Sequence, residues 1–213
     1  MDQNFTKFAF TPSVKNAQEK YGSRETYARM ERSGDRYLLT EREIPFIESR
    51  DSFFIATVGE NGWPYMQFRG GPKGFLRILD KRTLGMADFR GNRQYVSVGN
   101  INSAHKACLF LIDYPTQKRL KIWAHAEVIE SSQNPDLFAK VSLHDYKAVV
   151  ERIMIFTIEA YDWNCPQHIT PRFTYEEIRE GVEGLDPKLI QSCCPESLES
   201  EQGDAGNGDK RRA

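Results

Sequence analysis

Between Gln67 and Gln94 the chain sets amides, cations and glycines close together. The first group is Gln67-Phe68-Arg69-Gly70-Gly71-Pro72-Lys73. Glycine lets a ligand approach the backbone, and Arg and Lys make charge-assisted hydrogen bonds to phosphate. The second group is Asp88-Phe89-Arg90-Gly91-Asn92-Arg93-Gln94, one strand later. If a helix begins at Asn92, its first N–H groups and positive dipole end join Arg93 as an anion site. Each group alone also reads as an ordinary turn with solvent-facing cations, and neither common phosphate-binding glycine motif occurs. Taken together, the two point to an anionic, phosphorylated small ligand rather than a protein partner.

Two further stretches carry reactive side chains. Arg119 shares a strand face with Trp123 and His125. No Ser or Cys nucleophile stands with a His and a carboxylate, so no triad is read. The segment Trp163-Asn164-Cys165-Pro166-Gln167-His168 pairs Cys165 with His168 in C-x-x-H spacing. No second ligand pair with metal spacing accompanies it, so zinc is not expected. The other cysteines are Cys108, in an apolar run, and the adjacent Cys193 and Cys194. These are not a disulfide framework, which favours a reducing cytoplasm.

The elements that must position these residues are mostly strands. Phe53 to Val58 is a continuous apolar run, as in a buried strand. Asn61-Gly62 makes the hairpin turn. In the next strand Pro64, Met66 and Phe68 face one way, and Trp63, Tyr65, Gln67 and Arg69 the other. That polar-tipped face fits a ligand wall or a solvated outer face. Gly74–Leu79 resumes the strand and Thr83–Asp88 forms another, with a helix over 92–103. Ala107–Ile112, the alternating Arg119–Glu130 and Glu151–Asp162 complete the strands. Short helices are expected over 12–33, about 41–49 behind a Thr40/Glu43 capping box, 135–145 behind Asn134, and 175–180. Many strands without alternating crossover helices predict a mainly β fold, an antiparallel β-barrel with short helices.

The whole chain bounds the function further. Its 213 residues suit one domain with appendages. We read 1–39 as a helical arm, 40–180 as the barrel domain, and 181–213 as an extension, disordered from about 195 where apolar residues run out. The formal net charge of −1 argues against a nucleic-acid binder. No window approaches the ~20 apolar residues of a membrane span. The first residues lack a secretory pattern. A cytoplasmic protein is therefore expected.

The order of motifs is a short helix, FFIATV, the Asn-Gly turn, WPYMQFRGG, MADFRGNRQ, RLKIWAHAEV and YDWNCPQHITPR. Over roughly residues 40–175 this resembles the pyridoxamine 5′-phosphate oxidase-like, FMN-binding split-barrel family. The resemblance implies a split antiparallel β-barrel that forms a homodimer with FMN at the subunit interface. It implies that Gln67, Phe68, Arg69 and Gly70 line the flavin ring and ribityl chain, with Lys73 near the phosphate. Ala87 and Asp88 would touch the flavin, Arg93 and Gln94 would grip its phosphate, and Arg119 would reach the ring system. Trp163, Asn164 and Gln167 would come from the second subunit. QFRGGPK replaces the true oxidase's basic strand motif, and its pyridoxal-phosphate-holding C-terminal segment is not recognisable. The implied function is an FMN-dependent oxidoreductase acting on a small molecule, with hydride passing to or from the flavin and Arg119 stabilising its reduced form. The alternative is a non-catalytic flavin- or haem-binding sensor or carrier, with His105, His125, His144 and His168 as candidate haem ligands.

Overall fold

The computed structural model describes residues 4–32, 34, 36–143, 145–164 and 167–182. Two compact units divide between Pro171 and Arg172. The expected disorder from about 195, and Cys165, Cys193, Cys194 and His144, lie outside the described residues.

The first unit begins with helices α1 (Thr6–Ala9), α2 (Pro12–Lys20) and α3 (Arg24–Glu31), then α4 (Glu43–Glu48). Strands β1 (Ser52–Val58), β2 (Pro64–Gly70), β3 (Arg77–Ile78) and β4 (Thr83–Phe89) follow. Helix α5 (Val96–Ala104), strands β5 (Lys106–Asp113) and β6 (Lys118–Glu130), helix α6 (Pro135–Val141) and strand β7 (Val150–Trp163) complete it. The second unit contains α7 (Tyr175–Val182), opened by a reciprocal box between Thr174 and Glu177. Among the described residues no helix is long and apolar enough to cross a membrane.

The seven strands form one antiparallel sheet in the order β2-β1-β5-β6-β7-β4-β3. Alternation decides what the inner face holds: Phe53 and Ile55, Leu109 and Leu111, Leu120 and Ile122, Met154 and Phe156 are all buried. β2 stands at one edge and β4 next to the other. Even so, Arg69 Nη1 on β2 reaches Asp88 Oδ1 on β4 at 3.4 Å. The sheet therefore curls until its ends meet through side chains instead of backbone hydrogen bonds. This is a split barrel, and the split is bridged by charge. β4 is also covered on its outer face, where Ala87 packs with Val141 of α6 and Ile153 of β7.

Three local expectations are corrected. The helix expected from Asn92 begins at Val96. Asn92 Oδ1 accepts from Gln94 N–H at 3.2 Å, closing a turn, and Arg93 and Tyr95 have φ of 61° and 55°. Left-handed backbone cannot belong to a right-handed helix. The strand expected over 74–79 shrinks to Arg77–Ile78. Gly74 turns at φ 77° with its N–H on the Arg50 carbonyl, and Phe75 and Leu76 plug the core instead. Helix α6 stops at Val141, because Ser142 turns extended and its hydroxyl bonds the Phe138 carbonyl at 2.6 Å. The short helix α1 is an element the sequence reading lacks. It docks the arm through Phe5, which stacks on Trp123 at 5.5 Å.

Candidate functional site

The split of the barrel is also a cleft. Tyr65, Gln67 and Arg69 of β2 form one wall and Asp88 of β4 with Arg152 of β7 the other. The loop 91–95 and the start of α5 close one end. β2 turns its polar side inward because of its register with β1. Ile55, buried in the core, pairs with Gln67, while Phe54 on the outer face pairs with Phe68. Met66 and Phe68 are consequently 68% and 59% exposed.

The charges in the cleft are organised around Asp88, which is only 3% exposed. Arg152 Nη2 donates to its Oδ2 at 2.9 Å, opposite it in the β4–β7 register, and Arg69 approaches the other oxygen. The register shifts between Asp88 and Phe89, a bulge that releases the chain into the loop. Glu151 lies beside this group. Hydrogen bonds, first from Arg90 and then from Arg152, hold its carboxyl below the ordinary value although burial opposes them.

Arg93 donates from Nε to the Tyr95 hydroxyl at 3.1 Å and makes no ion pair among the described residues. Ser97 donates to Gln67 Oε1 at 2.9 Å, joining α5 to β2. The first bond closed inside α5 is Gly99 N–H to the Tyr95 carbonyl. The N–H groups of Val96, Ser97 and Val98 are thus left at the helix end that borders the cleft.

One chain therefore brings together Gln67, Arg69, Asp88, Arg93 and Gln94. It does not bring in the others. Phe68 points to the opposite face, and Gly70 ends β2. Lys73 is exposed in the turn beyond, and the Ala87 side chain is buried behind β4. Trp163 and Asn164 border a second cleft that shares no lining residue with the first. The Arg119 carbonyl accepts from Asn164 N–H at 3.1 Å, which ties it to that region, and Gln167 is exposed. Tyr95, Ser97, Glu151 and Arg152 are cleft residues that the sequence reading did not single out. Only the pairing of Asp88 with Arg152 across strands explains the last two, and sequence order carries no trace of it.

FMN would bring one phosphate, a polar chain and a flat ring. The residues fit the phosphate. Three lining cations, Arg69, Arg93 and Arg152, face two carboxylates, leaving one positive charge in excess beside free N–H groups. Among the described residues, Arg69 Nε is buried with no hydrogen-bond partner. The cavity itself is about 40 Å³, against roughly 300–1,000 Å³ for a complete small-molecule site. Elsewhere, the His105 and His125 rings stack at 5.4 Å, away from the cleft.

Residues 39–163, more than half of the chain, match the pyridoxamine 5′-phosphate oxidase family. No curated protein matches the chain. Among solved structures it is similar to an FMN-binding protein from Syntrophomonas wolfei subsp. wolfei, at 12% identity and TM-score 0.45, over 69% of this chain and 97% of that one. It is similar to HupZ of Group A Streptococcus at 14% identity and TM-score 0.44, over 63% and 100%. A third is a Clostridium acetobutylicum protein related to general stress protein 26, of the pyridoxinephosphate oxidase family, at 16% identity and TM-score 0.43, over 64% and 94%. With the matched span running from Leu39, ahead of α4, to the last residue of β7, the chain belongs to the pyridoxamine 5′-phosphate oxidase family.

Proposed function

We propose that the chain binds FMN in the split of the barrel and serves as an FMN-dependent oxidoreductase for a small molecule. The observation that carries this reading is the cleft's anion end: Arg93, which bonds the Tyr95 hydroxyl but makes no ion pair among the described residues, beside the three N–H groups that open α5. Arg93 and those N–H groups would hold the phosphate, and Gln94 would border it. Gln67 and Arg69 would flank the ribityl chain and the near edge of the ring. Asp88 keeps Arg69 and Arg152 in place. When bound, the flavin supplies the hydride chemistry, and the protein supplies binding, orientation and electrostatics.

The small size of the cleft in one chain supports a homodimer in which a second copy covers the ring. Trp163, Asn164 and Gln167 of that copy, with Arg119 behind them, are the residues proposed to close the site. Lys73, Gly70, Phe68 and Ala87 would contribute through backbone or from the rim.

Titration of the purified protein with FMN, followed by absorption and flavin fluorescence, tests the reading. Saturable binding is expected, and Arg93→Ala should weaken it about 10- to 100-fold, the scale of a lost charge-assisted hydrogen bond. Unchanged affinity in Arg93→Ala would remove Arg93 from the phosphate. Protein that ignores FMN would remove the flavin altogether. A Soret band in protein titrated with haem instead would favour a haem carrier and direct attention to the stacked His105–His125 pair.

A further inference from the structure

The hairpin Gly59-Glu60-Asn61-Gly62-Trp63 faces the side of α5 that carries Val96, Gly99 and Asn100, and a cleft of about 600 Å³ lies between them. That is the size of a small-molecule site. The three α5 residues share a face because they stand three and four positions apart. This cleft is continuous with the one in the barrel split, since Tyr65 and Val96 line both. Val96 also opens α5, where the free N–H groups lie. An anion held there therefore has two ways out. One follows Gln67 and Arg69 along the split. The other passes between Tyr65 and Val96 into the hairpin cleft.

The second way suits a flat group without negative charge. Asn61 Oδ1 accepts from Trp63 N–H at 3.1 Å, and Gly59 N–H donates to the Trp63 carbonyl at 3.0 Å, so the backbone beneath Trp63 is pinned. Its side chain is nevertheless 75% exposed. An uncovered indole on a cleft wall is a platform on which a base can stack. Asn100 Nδ2 donates to the buried Thr57 hydroxyl at 3.0 Å, which fixes that amide and leaves Oδ1 as an acceptor. The helix side of the cleft is open, because no atom lies within 4 Å of a Cβ placed on Gly99. Among the described residues Glu60 is the one charged residue lining the cleft, and it makes no ion pair. A carboxylate there repels an acidic tail and can accept from ribose hydroxyls.

We propose that the hairpin cleft takes a nucleoside joined to the flavin through the phosphate, its base against Trp63 and its ribose hydroxyls on Glu60. The inference rests on the flavin reading for what lies on the other side of the phosphate. On that reading the full ligand is FAD, with its FMN half seated in the split as above. The nucleoside half stands on the continuity of the two clefts, the open indole and the lone carboxylate. The charge to be neutralised is nearly the same. An esterified pyrophosphate carries about one negative charge on each phosphate, close to the −1.5 to −2 of a terminal phosphate monoester.

Isothermal titration of the full chain with FMN, FAD and AMP tests it. FAD should bind about ten-fold more tightly than FMN, the scale of one stacked base. Trp63→Ala removes the platform, and Gly99→Leu fills the open side. Each should bring FAD down to the affinity of FMN and leave FMN unchanged. Both positions are exposed, so circular dichroism of the variants should match that of the parent. FAD binding no more tightly than FMN, or keeping its advantage in both variants, would overturn the proposal and leave the flavin reading standing. AMP binding that is lost in Trp63→Ala, in a protein that ignores both flavins, would sink the flavin reading alone. A protein that ignores all three ligands would refute both.

Discussion

Glu43 shows how one buried carboxylate can join elements far apart in sequence. It is 3% exposed at the start of α4, yet it accepts from Thr40 N–H and hydroxyl and from Trp163, 120 positions away. Burial pushes its pKa up, but those hydrogen bonds outweigh burial and leave it below the ordinary value. The sign follows from linkage. A carboxyl with a lowered folded pKa contributes stability that is present above its unfolded pKa and lost as pH falls through the folded one. Glu43→Gln should therefore cost about 1–3 kcal/mol at neutral pH and flatten the acid limb below pH 4.5, the unperturbed value. Urea midpoints measured from pH 7 down to pH 3 would check this. Parallel curves for the two proteins would mean that the charge does not matter. The capping-box spacing of Thr40 and Glu43 is visible in the sequence, whereas the Trp163 partner is not.

At the scale of elements, strand β4 is the most constrained, because both of its faces are covered. A Cβ on Gly85 would come within 2.9 Å of Leu79 Cδ1 and 3.0 Å of Val141 Cγ1. Gly85→Ala should thus destabilise by about 1–3 kcal/mol through overpacking. Gly99 offers the contrast: it is helical, exposed, and has no atom within 4 Å of an added Cβ. Gly99→Ala should stabilise by about 0.5–1 kcal/mol. Opposite shifts in denaturant midpoint would confirm the pair. A neutral Gly85→Ala would show that α6 yields easily. The sequence signals for these strands were strong where burial was one-sided, as in β6. They were weak for β3, where two core phenylalanine and leucine side chains interrupt what reads as a continuous run.

For the whole molecule, the unusual surface is the outer side of β1 and β2. Val58, Met66 and Phe68 are exposed there beside Phe54. An apolar patch on an edge strand is an association surface more often than a solvated one. If a second copy covers it, Phe68→Glu should give a monomer by light scattering and weaken FMN by at least about ten-fold, since the flavin site would lose its other half. A parent protein that is monomeric and still binds FMN tightly would refute the interface site.

The sequence by itself determined most of the strands, the polar-tipped face of β2, the Thr40/Glu43 capping box and the cations of the two glycine-bearing segments, because these follow from local periodicity and residue chemistry. Family membership was also legible, in the order of motifs. Only the tertiary structure decided which of those residues meet. The register of β1 with β2 turned Gln67 and Arg69 inward, and the pairing of Asp88 with Arg152 across β4 and β7 bridged the split. The left-handed Arg93 and Tyr95 moved the helix start from Asn92 to Val96. The same folding separated Trp163 and Asn164 from that cleft and made them the wall of another. Register, loop closure and barrel curvature are set by contacts between residues tens of positions apart, and local sequence does not encode them.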